Sequence, residues 1–129
     1  MFVEDEKDYI MRMIKQMVRM LFSVILGKEY QLTELPDENK YEVSGKPLEE
    51  YLRMVDAGSV NEAENAILEG MDYGNKNEIA ALVRFYEYIG EKEDSFLEEH
   101  GYSKEEAMDG LKQMAEECGY GNMLEFFLK

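Results

Sequence analysis

Ile10-Met11-Arg12-Met13-Ile14-Lys15-Gln16-Met17-Val18-Arg19-Met20-Leu21-Phe22-Ser23-Val24-Ile25 is the stretch that decides how this chain folds. It has no Gly, no Pro and no acid, and its apolar residues recur at helical spacing. Wound at 100° per residue, Arg12, Lys15, Gln16, Arg19 and Ser23 share an arc of roughly 100°. Most of the remaining circumference is apolar, wider than the stripe of a helix lying on a single core. Burying each large side chain gains roughly 1.5–3 kcal/mol, so leaving half of them wet would be costly. Three placements shelter such a rod. It is the central helix of the domain, or it packs between its own domain and a second copy, or it meets a membrane or another protein. Self-association is the placement adopted, with Ile10, Met13, Met17, Met20, Leu21 and Val24 as the partner-binding residues. Met11, Met13, Met17 and Met20 suit an adaptable contact as well as a gap-filled core.

Charge sharpens the contrast between this segment and the rest. Residues 9–28 carry Arg12, Lys15, Arg19 and Lys28 without an acid, +4 in all. The chain has a net charge of −15, so the other residues carry −19. An acidic balance of this size excludes a protein that grips a phosphate backbone. A soluble, cytoplasmic protein is expected.

Outward from this segment, the chain reads as one domain of 129 residues: 1–28 a long N-terminal helix, 29–46 a loop, and 47–129 helical hairpins. The first helix runs from Asp5 to Gly27, where glycine ends it. The loop holds Pro36 and Ser44-Gly45, with a short extended piece at Tyr41-Glu42-Val43. A second helix opens at Pro47, which suits a first-turn position, and Gly58 stops it. Ser59 with Glu62, and Ser103 with Glu106, are two capping boxes that start the third and sixth helices. Between them lie a fourth helix over 77–89, with Ile79, Leu82, Val83, Tyr86 and Ile89 on one face, and a short fifth over 93–100. A seventh runs over 122–128.

Two offsets suggest a repeat. Leu48, Tyr51, Leu52 and Val55 recur 34 residues later as Leu82, Phe85, Tyr86 and Ile89, which is the tetratricopeptide period. Ser59, Glu62, Ala63 and Ile67 recur 44 residues later as Ser103, Glu106, Ala107 and Leu111. The expected fold is therefore all-α: the long helix, then antiparallel hairpins in a tetratricopeptide-like right-handed stack, although the consensus signature of that repeat is not matched.

Chemistry is hard to find. There is no nucleophile elbow, P-loop, dinucleotide-binding glycine pattern or Cys-x-x-Cys. Asp72-Tyr73-Gly74-Asn75-Lys76-Asn77-Glu78 falls short of a calcium loop, because its glycine is misplaced and Lys76 intrudes. A single His, His100, removes the usual di-iron bundle and reads as a helix-end residue. Cys118 cannot form an internal disulfide, consistent with a reducing compartment, and sits on an apolar stripe as a small hydrophobe. Tyr73, Tyr86, Tyr88, Tyr102 and Tyr120 line either a groove between hairpins or the rim of a small core. No enzyme activity, cofactor or metal is expected. No secretory leader is expected either, since Glu4, Asp5, Glu6 and Asp8 stand where one would be basic.

Asp8-Tyr9-Ile10-Met11-Arg12-Met13-Ile14, Leu48-Glu49-Glu50-Tyr51-Leu52, Ala63-Glu64-Asn65, Phe85-Tyr86-Glu87-Tyr88 and Gly119-Tyr120-Gly121 resemble a family of short, uncharacterised bacterial proteins. The resemblance spans nearly the whole chain. It implies a helical, tetratricopeptide-like fold, no assigned activity, and no catalytic residue to carry over. A non-enzymatic interaction or structural module that forms a homodimer through its first helix is the function expected. A peripheral membrane or regulatory protein using the same helix is the alternative.

Overall fold

The computed structural model describes residues 6–26 and 42–122. Six helices account for most of them: α1 (Glu6–Leu26), α2 (Leu48–Asp56), α3 (Val60–Glu69), α4 (Lys76–Gly90), α5 (Asp94–Glu99) and α6 (Lys104–Glu117). A two-stranded antiparallel hairpin, β1 (Glu42–Val43) and β2 (Lys46–Pro47), precedes α2. The expected loop thus ends in a tight turn. Ser44 and Gly45 both take positive φ, 52° and 81°, as a two-residue hairpin of the primed type requires. Ser44 Oγ donates to the Ile67 carbonyl at 2.8 Å, and the Tyr51 hydroxyl donates to the Val43 carbonyl at 3.1 Å. These two bonds tie the turn to α3 and α2.

The fourth helix, not the first, is the central one. Along α4 the buried set includes Ile79 to Glu87 without a break, then Ile89 and Gly90. α1, α2, α6 and β1 all pack on it. The apolar face expected for α4 is buried, and so is the opposite side, because small residues (Ala80, Ala81, Gly90) let neighbours close in. A Cβ on Gly90 would stand 3.2 Å from Ile14 Cδ1, which shows how nearly α1 touches the α4 backbone. Two charged residues share this interior. Arg84 Nη1 lies 3.2 Å from Glu87 Oε1 and 3.7 Å from Glu91 Oε1, with Arg84 and Glu87 both buried. Pairing is what permits charge at such depth.

α1 is amphipathic rather than wrapped. Ile10, Ile14, Met17, Val18, Leu21 and Phe22 are buried in the chain's own core, against α4 and α6. Arg12, Gln16, Arg19 and Ser23 face solvent. The placement of α1 as a central helix is therefore corrected: its own fold takes up the larger part of the apolar excess, along one side.

The repeated positions behave alike. Leu48, Tyr51, Leu52 and Val55 on α2, and Leu82, Phe85, Tyr86 and Ile89 on α4, are all buried. The two capping boxes do not behave alike. Ser103 Oγ accepts from the Glu106 backbone N–H at 3.2 Å, whereas Ser59 makes no side-chain cap bond. Ser59 sits at φ −88°, ψ 55°, outside the extended geometry that aims a cap oxygen at the helix start. Gly58, at φ 92°, turns the chain from α2 into α3, and a Cβ there would stand 2.5 Å from the His100 ring. His100 ends α5 and packs at a tilt against Phe96, with ring centroids 4.8 Å apart and planes at 60°. No described helix is long and apolar enough to cross a membrane. The expected seventh helix begins at Gly121–Asn122 and otherwise lies outside the described residues.

Candidate functional site

Tyr86 projects from the central helix into the gap between α3 and α6. Its hydroxyl donates to Glu64 Oε2 on α3 at 2.7 Å. Tyr102, from the short connection before α6, donates to the same oxygen at 3.2 Å. Both rings are buried. Burial, and then the neighbouring carboxylate, push both phenols well above the usual tyrosine range. Losing a proton would leave a phenolate beside a carboxylate in a poorly solvated place. The two hydroxyls therefore stay donors across the physiological range, both directed at Glu64 Oε2.

This clasp floors an open cleft of about 440 Å³ between α3 and α6. Leu68, Tyr73 and Met114 add apolar and aromatic surface to the Tyr86 floor. Leu68 is 39% exposed, unusually so for a leucine facing a cleft. Glu106, Asp109 and Glu117 stand along the α6 side, with Glu64 opposite. Burial and then Glu117 raise the Tyr73 phenol as well. Gly110 is what lets the cleft have this floor: a Cβ there would lie 2.5 Å from Tyr86 Cε1 and Oη. An anionic rim over an aromatic and aliphatic floor suits a group that is positively charged at its tip and apolar along its stem.

Of the tyrosines read as lining either a groove or the rim of the core, Tyr73 and Tyr86 line the cleft, and Tyr102 shares the Glu64 acceptor without lining it. Tyr88 serves elsewhere: its hydroxyl donates to Asp56 Oδ1 at 2.7 Å, and Asp56 is also bonded by Lys92. Gly110 carries no reading in the sequence, and Glu64 enters it only within the Ala63-Glu64-Asn65 resemblance. Glu64 is one acid among 29, and a glycine inside a helix pattern was the one available signal for a close approach. Cys118 caps α6 half-buried against the core, with its thiol pushed up by burial. Among the described residues no three His, Cys, Asp or Glu side chains are gathered so as to hold a metal ion.

The six residues expected to bind a partner divide in two. Ile10, Met17 and Leu21 lie in the chain's own core. Met13, Met20 and Val24 are half-exposed along one flank of α1. Tyr9, 51% exposed, continues that flank one turn before Met13. Gln16, Ser23 and Arg12 border it, while Arg19 and Lys15 lie further round the helix.

No curated protein and no solved structure gives a significant match to this chain. A family model does: residues 4–119 match DUF6483, a family of unknown function. The match takes in all six helices, the cleft and the flank, and the chain belongs to the DUF6483 family.

Proposed function

We propose that this chain is a non-enzymatic, cytoplasmic interaction module that self-associates through the exposed flank of α1. One observation carries the reading. After the core has taken Ile10, Met17 and Leu21, an apolar ridge of Tyr9, Met13, Met20 and Val24 stays accessible, bordered by Arg12, Gln16 and Ser23. These four positions recur at helical intervals, so they form a continuous line on one side of the rod. Methionines on an exposed line adapt to a partner's shape. The paired hairpins form the scaffold, and their arrangement as a tetratricopeptide-like stack belongs to this reading. Tyr86 and Tyr102 held in their donor state on Glu64 fit a fixed binding surface better than a proton-transfer site.

Sedimentation equilibrium over a micromolar concentration series tests it. The expected result is a species heavier than the 15.1 kDa chain, returned to monomer by Met13→Glu with Met20→Glu. A wild-type chain that stays monomeric throughout overturns the proposal.

A second reading, peripheral membrane attachment, draws on the same flank, since basic residues interleaved with Met and Tyr suit an anionic lipid surface. Co-sedimentation with vesicles containing phosphatidylserine, absent with neutral vesicles, is its expected signature. Failure to co-sediment removes it.

A further inference from the structure

We infer that the α3–α6 cleft binds a linear polyamine, a flexible methylene chain carrying several ammonium groups. This site lies on other elements than the α1 flank and does not depend on self-association.

The acids of the cleft face one another across it. α6 contributes Glu106, Asp109 and Glu117. Their spacings of three and eight residues keep them on one side of the helix, strung along roughly 16 Å of its axis. α3 stands opposite with Glu64 and, one turn on, Leu68. No base answers these acids among the described residues. Glu64 accepts from Tyr86 and Tyr102, Glu106 from Ser103 and Glu117 from Gln113, all neutral donors. Lysine and arginine form their ion pairs elsewhere, at Arg53, Arg84, Lys92 and Lys104. A concave surface lined by one sign of charge, with low-dielectric walls, focuses its field and concentrates counter-ions.

The floor decides which cation. Tyr73, Tyr86, Met114 and Leu68 offer ring and aliphatic surface below the acids. A hydrated metal ion gains nothing from such surface. An alkylammonium gains twice, because its charge meets carboxylates and a tyrosine face while its stem covers apolar area. A single ammonium reaches one part of the α6 line. Several, joined by short methylene chains, meet Glu106, Asp109 and Glu117 in turn and leave the stem on the floor. Glu64 is the fixed point: two phenols hold Oε2, and Oε1 has no hydrogen-bond partner among the described residues. The cleft volume of about 440 Å³ falls within the roughly 300–1,000 Å³ of small-molecule sites.

Calorimetric titration of the full-length chain with spermidine, at physiological ionic strength, tests the inference. Saturable binding is expected. Asp109→Asn with Glu117→Gln is expected to weaken it at least about tenfold. Both positions are exposed, and circular dichroism confirms that the variant folds. Glu50→Gln with Glu62→Gln removes the same charge from exposed positions outside the cleft and is expected to leave binding unchanged. Putrescine and magnesium ion carry equal charge, so the tighter binding expected of putrescine belongs to its methylene stem.

Four results overturn the inference. Spermidine that never saturates the wild type shows that the cleft is no site for it. Equal weakening in the two double variants shows attraction to net charge alone. Magnesium binding as tightly as putrescine shows that the floor contributes nothing. N-acetyl-lysine amide binding as tightly as spermidine shows that one ammonium suffices, and the polyamine assignment falls.

Discussion

The tip of the Tyr86 ring occupies the space where a side chain at position 110 would begin. A Cβ on Gly110 would stand 2.5 Å from Tyr86 Cε1 and Oη, far inside van der Waals contact. Glycine in a helix interior costs roughly 0.5–1 kcal/mol relative to alanine. At this position that cost is the condition for α6 to close over the central helix. Tyr86 cannot swing aside freely, because its ring is buried and its hydroxyl is held by Glu64.

Gly110→Ala is therefore expected to destabilise the fold despite the better helix propensity of alanine. Overpacking a filled site costs typically about 1–3 kcal/mol, more than the propensity gain. Urea titration of the variant checks the sign. A variant more stable than wild type would show that Tyr86 moves with little strain.

Tyr86→Phe removes one of the two donors to Glu64 and keeps the ring. A hydrogen bond to a charged acceptor contributes about 1.5–3 kcal/mol, so a loss near the lower end is expected, since Tyr102 remains bonded. Tyr86→Phe combined with Tyr102→Phe should cost more than the sum of the two single changes, because it leaves Glu64 without either donor. A double-mutant cycle by chemical denaturation measures the difference.

The same phenols set the alkaline limit of stability. In the unfolded chain they titrate near the ordinary value of about 10. In the fold both are raised, by burial and then by Glu64. Below pH 10 both states are protonated, and this contribution is fully present. Above it the unfolded chain releases the protons first, so stability falls by up to about 1.4 kcal/mol per pH unit for each tyrosine. Thermal unfolding followed from pH 8 to pH 11 should show this slope, and Tyr86→Phe should flatten it. Equal slopes in both proteins would contradict the account.

Ser103→Ala is expected to cost about 1 kcal/mol, and Ser59→Ala much less. Ser103 accepts from the Glu106 N–H, and Ser59 accepts nothing at the start of α3. Midpoints of urea unfolding for the two variants compare them directly. Similar losses would mean that Ser59 caps its helix after all.

The surface trio of Asp56, Tyr88 and Lys92 should matter little. Burial raises the Asp56 carboxyl, but bonds from Lys92 and Tyr88 outweigh it and hold the group below its usual value. Its contribution is present above about pH 4 and is lost as pH falls through the lowered value. The Asp56 side chain is 48% exposed, so solvent screens the pair, and Asp56→Ala should cost at most about 1 kcal/mol. A larger loss measured by denaturation at neutral pH would show that the trio braces α2 against α4 more firmly than its exposure implies.

Helix content, most helix boundaries and the apolar stripes of α2, α3, α4 and α6 could all be read from the amino acids. Local spacing, Gly58, Pro47 and the polar residues between helices act within a few residues of themselves. The apolar character of α1 was legible for the same reason, but its inward side was not: Ile10, Met17 and Leu21, read as partner-binding, lie in the core. Which helix would be surrounded was not. α1 has the broader apolar girth, yet α4 lies in the middle, because Ala80, Ala81 and Gly90 admit neighbours that bulky side chains would hold off, and because Arg84 and Glu87 meet as a pair. The capping motif at Ser59 shows the same limit on a smaller scale: the residues are right, but the turn from Gly58 sets a backbone angle that misdirects the hydroxyl. The cleft is the clearest case. Glu64, Tyr86, Tyr102 and Gly110 come from four separate parts of the chain, and nothing local marks them as a group. Periodicity determines which side of a helix turns inward. Only packing decides which helices meet there, because that depends on the shapes of surfaces distant in sequence.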